Sequence, residues 1–245
     1  MSAVDELVLG AEIDVPVNAE VEALEEFLAR WDQNYNEQVK SIDLFKENLT
    51  SKWNMNQKQL FIKILYHQRA HFSDVLWFIG NFAPNAASKE MILNNIRDEF
   101  GKHAPSHEQL YLDFSKSMGV DLKYELIEEN FYYPFLRDYN RGHLRWLRNH
   151  DWEHNLAAFA AIERLDNVDY VVLRNVVASW GISARDLIFF NVHIYVTHYD
   201  DLANSAFSDL WQKKPQLVKK VFEFIGEYQI GIWKRISDAV FDNKY

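Results

Sequence analysis

Apolar residues recur at three- and four-residue spacing along most of the chain, which is the period of an amphipathic α-helix. From residue 20 onward Val21, Leu24, Phe27, Leu28 and Trp31 follow this period. The pattern predicts further helices over residues 56–82, 88–99, 107–118, 152–165, 168–180, 183–204 and 214–241, with one or two shorter helices within 122–148. About nine helices with short connections are typical of an all-α bundle.

Glycine and proline mark the ends of the predicted helices. Gly101 and Pro105 separate two of them, and Gly119 ends the second. Residues 1–18 are acidic and lack the helical period. We therefore expect a flexible lead-in over residues 1–18 and a single domain over residues 19–245.

The composition supports this fold class and narrows the range of functions. The chain of 245 residues has only 8 Gly and 5 Pro, fewer than many short strands and tight turns would need. A formal net charge of −10 would repel a phosphate backbone, so nucleic acid is not an expected partner. The sequence predicts no membrane span and contains no apolar signal segment, so we expect a cytoplasmic location.

Ionisable residues occur in three segments where the helical pattern places the core. They are Glu99 with His107, Glu163 after the apolar run 157–162, and His193 with His198 and Asp200. An isolated carboxylate at the position of Glu163 would be strongly destabilising unless it were paired or bound to a metal. A divalent cation offsets the desolvation of several carboxylates and imidazoles together. Because the chain has no cysteine, its ligands must be nitrogen and oxygen atoms, which favours iron or manganese.

Each of these residues also has a structural interpretation. Glu99 could form an ion pair with Arg97 or Lys102, and Glu163 could pair with Arg164. The histidines of the same segments could be packed or hydrogen-bonded core residues. These alternatives predict no metal.

Taken in order, the residues resemble the pattern of the haem-oxygenase-like di-metal oxidases and oxygenases, which bind no haem despite the name of their fold. The resemblance covers about residues 60–202. The family has a Glu in an Asn-x-x-x-Glu-x-Gly context, a His at the head of the next helix, a Glu that ends an Ala-rich turn, and a final H-x-x-x-D-x-x-H helix. This sequence matches the pattern in order with Asn95, Glu99, Gly101, His107, Glu163 and His193.

The resemblance implies a haem-oxygenase-like helical bundle that holds two iron ions, or one iron and one manganese. It implies the ligands Glu99, His107, Glu163, His193 and Asp200, with Asp74, His71 and His198 as further candidates. The implied activity is the use of dioxygen to oxidise a small organic substrate, such as a fatty acid or an amino acid. A homodimer is left open.

The last motif departs from the family. Thr197 stands in place of the family's Asp, and Asp200 in place of its second His. On an ideal helix both residues share a face with His193, whereas His198 is turned away by about 140°. We therefore expect a firmly held ion and a weaker second ion, unless a helix bulge turns His198 inward.

Two other functions remain open from the sequence. Metal-free thiamine-salvage and quinone-cofactor synthases share this architecture and lack a complete carboxylate set. A helical interaction module is the second alternative, as suggested for the chlamydial protein associating with death domains, a relative in the same group. Such a module would expose an apolar helix face and consume no dioxygen.

Overall fold

The computed structural model describes residues 22–101, 104–195 and 201–242, and within these ranges the chain forms helices and no strand. The predicted all-α fold is confirmed. The predicted lead-in, residues 1–18, lies outside the described residues. In chain order the helices are α1 (Leu24–Ser41), α2 (Glu47–Thr50), α3 (Met55–Ala70), α4 (Phe72–Phe82), α5 (Ala86–Glu99), α6 (His107–Ser117), α7 (Glu125–Glu128), α8 (Pro134–Arg148), α9 (Trp152–Ala178), α10 (Ile188–Tyr195), α11 (Asp201–Lys213) and α12 (Pro215–Asp242).

Several helix boundaries differ from those predicted. The helix expected over 183–204 begins only at Ile188, and α11 extends to Lys213, beyond the expected end. The single helix expected over 56–82 is divided into α3 and α4 at His71, whose ψ of 3° leaves the helical range. The two helices expected over 152–165 and 168–180 form one continuous helix, α9. The division at His71 places this residue at a helix junction beside the cavity described below, and the continuity of α9 keeps its polar residues on one helix.

Helix α9 lies at the centre of the bundle, where it packs against α10 and α12. Its residues 155–161 are all buried, and four of the seven are alanines. Such small side chains allow neighbouring helices to approach closely, so the helix forms a dense core. The carboxylates farther along α9 are consequently held inside the protein.

A buried hydrogen-bond network joins this central helix to three others. Asp169 of α9 is fully buried and accepts hydrogen bonds from Tyr35 at 2.8 Å, Trp233 at 3.1 Å and Gln229 at 2.9 Å. Arg69 of α3 adds an ion pair at 3.2 Å. Burial raises the pKa of Asp169 to about 6, although the nearby Arg69 guanidinium opposes this shift. The network fixes Arg69 beside the cavity described below.

Among the described residues, no helix is long and apolar enough to cross a membrane.

Candidate metal centre

Three predicted ligands come together at one point in the bundle. Glu99 ends α5, His107 begins α6 and His193 lies on α10. One potential ligand atom from each residue lies within 4.8 Å of the corresponding atoms of the other two. Nδ1 of His107 is 3.1 Å from Oε1 of Glu99. This distance is close to the spacing of about 3 Å expected for two ligands at right angles around an ion that lies about 2.1 Å from each.

The turn between α5 and α6 places Glu99 beside His107. Gly101 adopts a φ of 74°, and a Cβ at that position would lie 2.3 Å from the carbonyl oxygen of Ala104. Glycine is therefore required there. Ser106 then caps α6, because its side chain accepts a hydrogen bond from the backbone N–H of Gln109 at 3.1 Å. The carboxylate thus stands at the C-terminal end of a helix, where the helix dipole disfavours negative charge.

His193 is held in one orientation by its own helix. Its Nδ1 lies 2.7 Å from the carbonyl oxygen of Phe189. Because a carbonyl only accepts hydrogen bonds, Nδ1 carries the hydrogen and Nε2 is the ring's acceptor atom. The ring stacks on Tyr170 at 3.9 Å and lies 4.2 Å from the ring of His107. A backbone hydrogen bond of this kind commonly orients a histidine for metal binding.

Glu163 lies near Glu99 of this cluster, and the charged groups of the described chain that act on it are acidic. Its side chain is buried in α9, and it forms no ion pair with a described residue. Burial raises its pKa well above the ordinary value, and the carboxylates of Asp166, Glu99 and Asp98 raise it further. Glu99 and Asp166 are only partly buried and Asp98 is exposed, so Glu163 is the buried member of this group, and either a proton or a cation would stabilise it.

The arginines considered as ion-pair partners of Glu99 and Glu163 contact other residues instead. Arg164 pairs with Asp32 through two hydrogen bonds of 2.8 and 2.7 Å rather than with Glu163. Arg97 contacts Glu90 at 2.6 Å and Asn94 at 2.7 Å rather than Glu99. Lys102 lies outside the described residues.

The other predicted ligands do not join the cluster within the described part of the chain. Glu163 is not a member of the three-residue group, and His71 pairs with Asp74 at 2.9 Å. Asp200 and His198 fall within residues 196–200, which lie outside the described residues. The assignment of these last two residues stays a prediction.

A cavity of about 290 Å³ borders the three clustered ligands. Its lining is mainly apolar and aromatic, and its polar part includes residues that the sequence analysis did not identify. They are Tyr66, Arg69, Glu108, Asp166 and Tyr170. Glu108 accepts a hydrogen bond from Tyr66 at 2.5 Å, and Arg69 pairs with Asp166 at 2.6 Å. The cavity thus offers both an apolar volume and charged groups beside the candidate metal site.

The spacing of polar residues in the sequence could have predicted part of this cavity lining. Glu163, Asp166 and Tyr170 follow one another at spacings of three and four residues, so they share one face of α9. The expected break after residue 165 concealed this relation. Arg69 had no comparable local signal, because its partner Asp166 is 97 residues away along the chain.

Comparison with known proteins adds two findings. The model of a family described as iron-containing redox enzymes, of the haem-oxygenase type, matches residues 59–223, which is more than half of the chain. No curated protein matches the sequence. The matched segment contains the whole cluster and most of the cavity lining.

Proposed function

Because the chain belongs to the iron-containing redox enzyme family, we propose that it is a non-haem oxidase that uses dioxygen and two metal ions to oxidise a small organic substrate. The ions would be two irons, or one iron and one manganese. Glu99, His107, Glu163 and His193 would hold the firmer ion in some combination, and Asp200 would contribute to the second site. The family assignment makes the protein a redox enzyme, and the number of ions and the use of dioxygen are our proposal.

The buried carboxylate of Glu163 is the observation that carries this proposal. Its charged neighbours in the described chain are Asp166, Glu99 and Asp98, all of them acidic. An ion pair would be the usual way to stabilise a buried glutamate, but Arg164 is engaged by Asp32. A divalent cation between Glu163 and the neighbouring cluster would offset this desolvation, and the donor atoms are those that iron and manganese accept.

The residues around the site have distinct functions in this proposal. Bound iron would supply the electrons with which dioxygen is reduced. The carbonyl of Phe189 keeps His193 in the tautomer that presents Nε2, and the Tyr170 ring fixes the plane of the imidazole. The aromatic side chains Tyr111 and Phe189 line the cavity and exclude water from the substrate.

Metal analysis of single variants tests the proposal. Replacing Glu99, His107, Glu163 or His193 by Ala should abolish bound iron and retain the helical circular-dichroism signal. Glu153→Ala and His154→Ala are the controls, because Glu153 pairs with Lys214 and His154 pairs with Asp151, away from the cluster. Reduced, iron-loaded wild-type protein should consume dioxygen. Unchanged iron content in all four ligand variants would overturn the proposal.

A further inference from the structure

His71 and Asp74 form a hydrogen-bonded pair next to the cavity. His71 occupies the junction between α3 and α4, and Asp74 lies in the first turn of α4. Nδ1 of His71 is 2.9 Å from Oδ2 of Asp74. An ionised carboxylate accepts hydrogen bonds and donates none, so Nδ1 carries the hydrogen. In the neutral ring, Nε2 therefore keeps its lone pair and can act as a base.

The position of this imidazole ring is fixed, and its second nitrogen has no hydrogen-bond partner within the described part of the chain. The ring stacks on Tyr132 with centroids 4.6 Å apart and planes inclined by 13°. His71 borders the cavity, and its Nε2 is buried without a hydrogen bond to any described residue. Buried polar atoms are normally satisfied, so an exception beside a ligand-sized cavity points to a ligand group. A histidine oriented by a carboxylate through one nitrogen, with the other nitrogen bare, has the arrangement of a general base.

The charges around the pair indicate what kind of substrate would reach it. Five ionisable groups interact with His71 through their charge, a hydrogen bond or ring stacking. They are His67, Asp74, Glu108, Glu129 and Tyr132. Of the three carboxylic acids among them, only Glu108 lines the cavity, and Glu129 is paired with Arg137. Glu99 and Asp166 are the other carboxylic acids in the described cavity lining. The guanidinium in the cavity wall, that of Arg69, is already paired with two aspartates. A cationic ligand would offset the charge of this wall, whereas an anion would be repelled.

We propose that His71 is a catalytic base that accepts a proton from a protonated amine of the substrate, with Asp74 as its positioning residue. In this step an N–H bond of the ammonium group breaks, and its electron pair stays on the amine nitrogen. A new N–H bond forms at Nε2 of His71, which gives an imidazolium paired with the Asp74 carboxylate. The neutral amine then has a lone pair available for oxidation beside the metal centre. The role in catalysis rests on the proposed oxidase function, but the acid–base pair itself can be tested without metal.

The test uses long-range nitrogen–proton NMR spectra of the full-length, metal-free protein with ¹⁵N-labelled histidine. His71→Gln assigns the resonances of His71. In the wild-type protein we expect hydrogen on Nδ1 of His71 and a bare Nε2. Benzylammonium chloride, used as the probe, should move the Nε2 resonance towards the value of a protonated nitrogen, and sodium benzoate should leave it unchanged.

The chain provides a matched control for the positioning residue. Asp151 and His154 are also three residues apart, with Nδ1 of His154 2.7 Å from Oδ1 of Asp151, but they lie on the surface. Asp74→Asn should mix the two tautomers of His71 and raise the apparent dissociation constant for benzylammonium several-fold. Asp74 is more than half exposed, so the fold should persist. Asp151→Asn should alter the spectrum of His154 and leave His71 unchanged.

Several outcomes would overturn the inference. They are a wild-type His71 with hydrogen on Nε2, an Nε2 resonance that ignores benzylammonium or responds equally to benzoate, and an Asp74→Asn variant that behaves as the wild type does. Because the experiment contains no iron, its result is independent of the proposed oxidase. If the Nε2 resonance of His71 responds to benzylammonium but the protein never retains iron, the oxidase function is refuted and the role of His71 as a base is supported. If the protein binds iron and consumes dioxygen but the Nε2 resonance of His71 does not respond, only the role of His71 as a base is refuted.

Discussion

At the scale of single residues, Glu163 is the side chain on which the proposed metal site depends most. In metal-free protein this buried group must either ionise among other carboxylates or keep its proton, and both states are unfavourable at neutral pH. We therefore expect metal-free Glu163→Gln to melt several degrees above metal-free wild type at neutral pH. Iron should raise the melting temperature of the wild type and leave that of the variant unchanged.

Differential scanning calorimetry with and without iron measures both effects. Glu153→Gln, which changes a glutamate at the surface, is the matched control and should respond to iron as the wild type does. A Glu163→Gln variant that melts lower than metal-free wild type would mean that the carboxylate has a stabilising partner within the protein.

His143 gives a residue-scale prediction that does not depend on metal. Burial lowers the pKa of this histidine from 6.5 to about 4. The unfolded chain therefore binds a proton that the folded chain resists, and folding stability falls as the pH drops from 6.5 towards 4. The free energy of unfolding should fall by roughly 3 kcal/mol over this pH range. His143→Phe keeps an aromatic ring against Tyr139 and Tyr228 and should flatten this part of the pH profile.

Urea denaturation at several pH values between 6.5 and 4 tests this expectation. His154→Phe replaces a partly exposed histidine and should preserve the wild-type slope. An equal loss of stability in wild type and His143→Phe would show that other groups govern the acid sensitivity.

At the scale of elements, the site depends on how one helix ends and the next begins. Gly101 turns the chain between Glu99 and His107 with a φ of 74°, and a Cβ there would collide with the backbone of Ala104. Gly181 has nearly the same φ, 76°, but a Cβ there would meet no atom within 4 Å. Gly181→Ala should therefore lower the free energy of unfolding by only roughly 1 to 2 kcal/mol, which is the cost of an alanine in the left-handed region. Gly101→Ala should be less stable and should also bind iron more weakly.

Calorimetry and iron titration of the two glycine variants separate backbone strain from displacement of the ligands. The account predicts weakened iron binding for Gly101→Ala alone. Equal iron affinity in both variants would show that the turn at Gly101 does not position the ligands.

The sequence predicted the elements well where the apolar period was regular and less well where polar residues interrupted it. The sequence predicted a break between residues 165 and 168, yet α9 continues through this segment, where Arg69 of another helix pairs with Asp166 at 2.6 Å. The opposite error occurred at His71, where a regular apolar stripe concealed the boundary between α3 and α4. In both places a tertiary contact or a local backbone change decided the outcome, and neither can be obtained from periodicity.

At the scale of the whole molecule, the amino-acid composition and the helical period of the apolar residues predicted the all-α class. The order and spacing of the ionisable residues predicted part of the site. Glu99 and His107 are close in sequence, and His193 comes near them through the packing of α10 against α6. The cavity wall could not be predicted in the same way, because it combines side chains from α3, α6, α8, α9 and α12. Pairs such as Arg69 with Asp166 exist only once these helices have assembled.

The departure of the last motif from the family pattern predicts two unequal metal sites in the assembled protein. Thr197 is a poor ligand, so a second ion would depend on Asp200. Asp200→Ala should remove the weaker of two binding phases in an anaerobic iron titration, and His198→Ala should spare it. Loss of metal on changing His198 instead would indicate a bulged helix that turns this histidine inward.

We propose that buried Glu163, together with Glu99, His107 and His193, forms an iron site. Anaerobic titration of ferrous iron into metal-free wild type and Glu163→Gln, followed by calorimetry, tests it most directly. The account predicts tight iron binding by the wild type and its loss in Glu163→Gln, whose metal-free fold remains intact. Wild-type protein that binds no iron, or a Glu163→Gln variant that binds it with unchanged affinity, would contradict the claim.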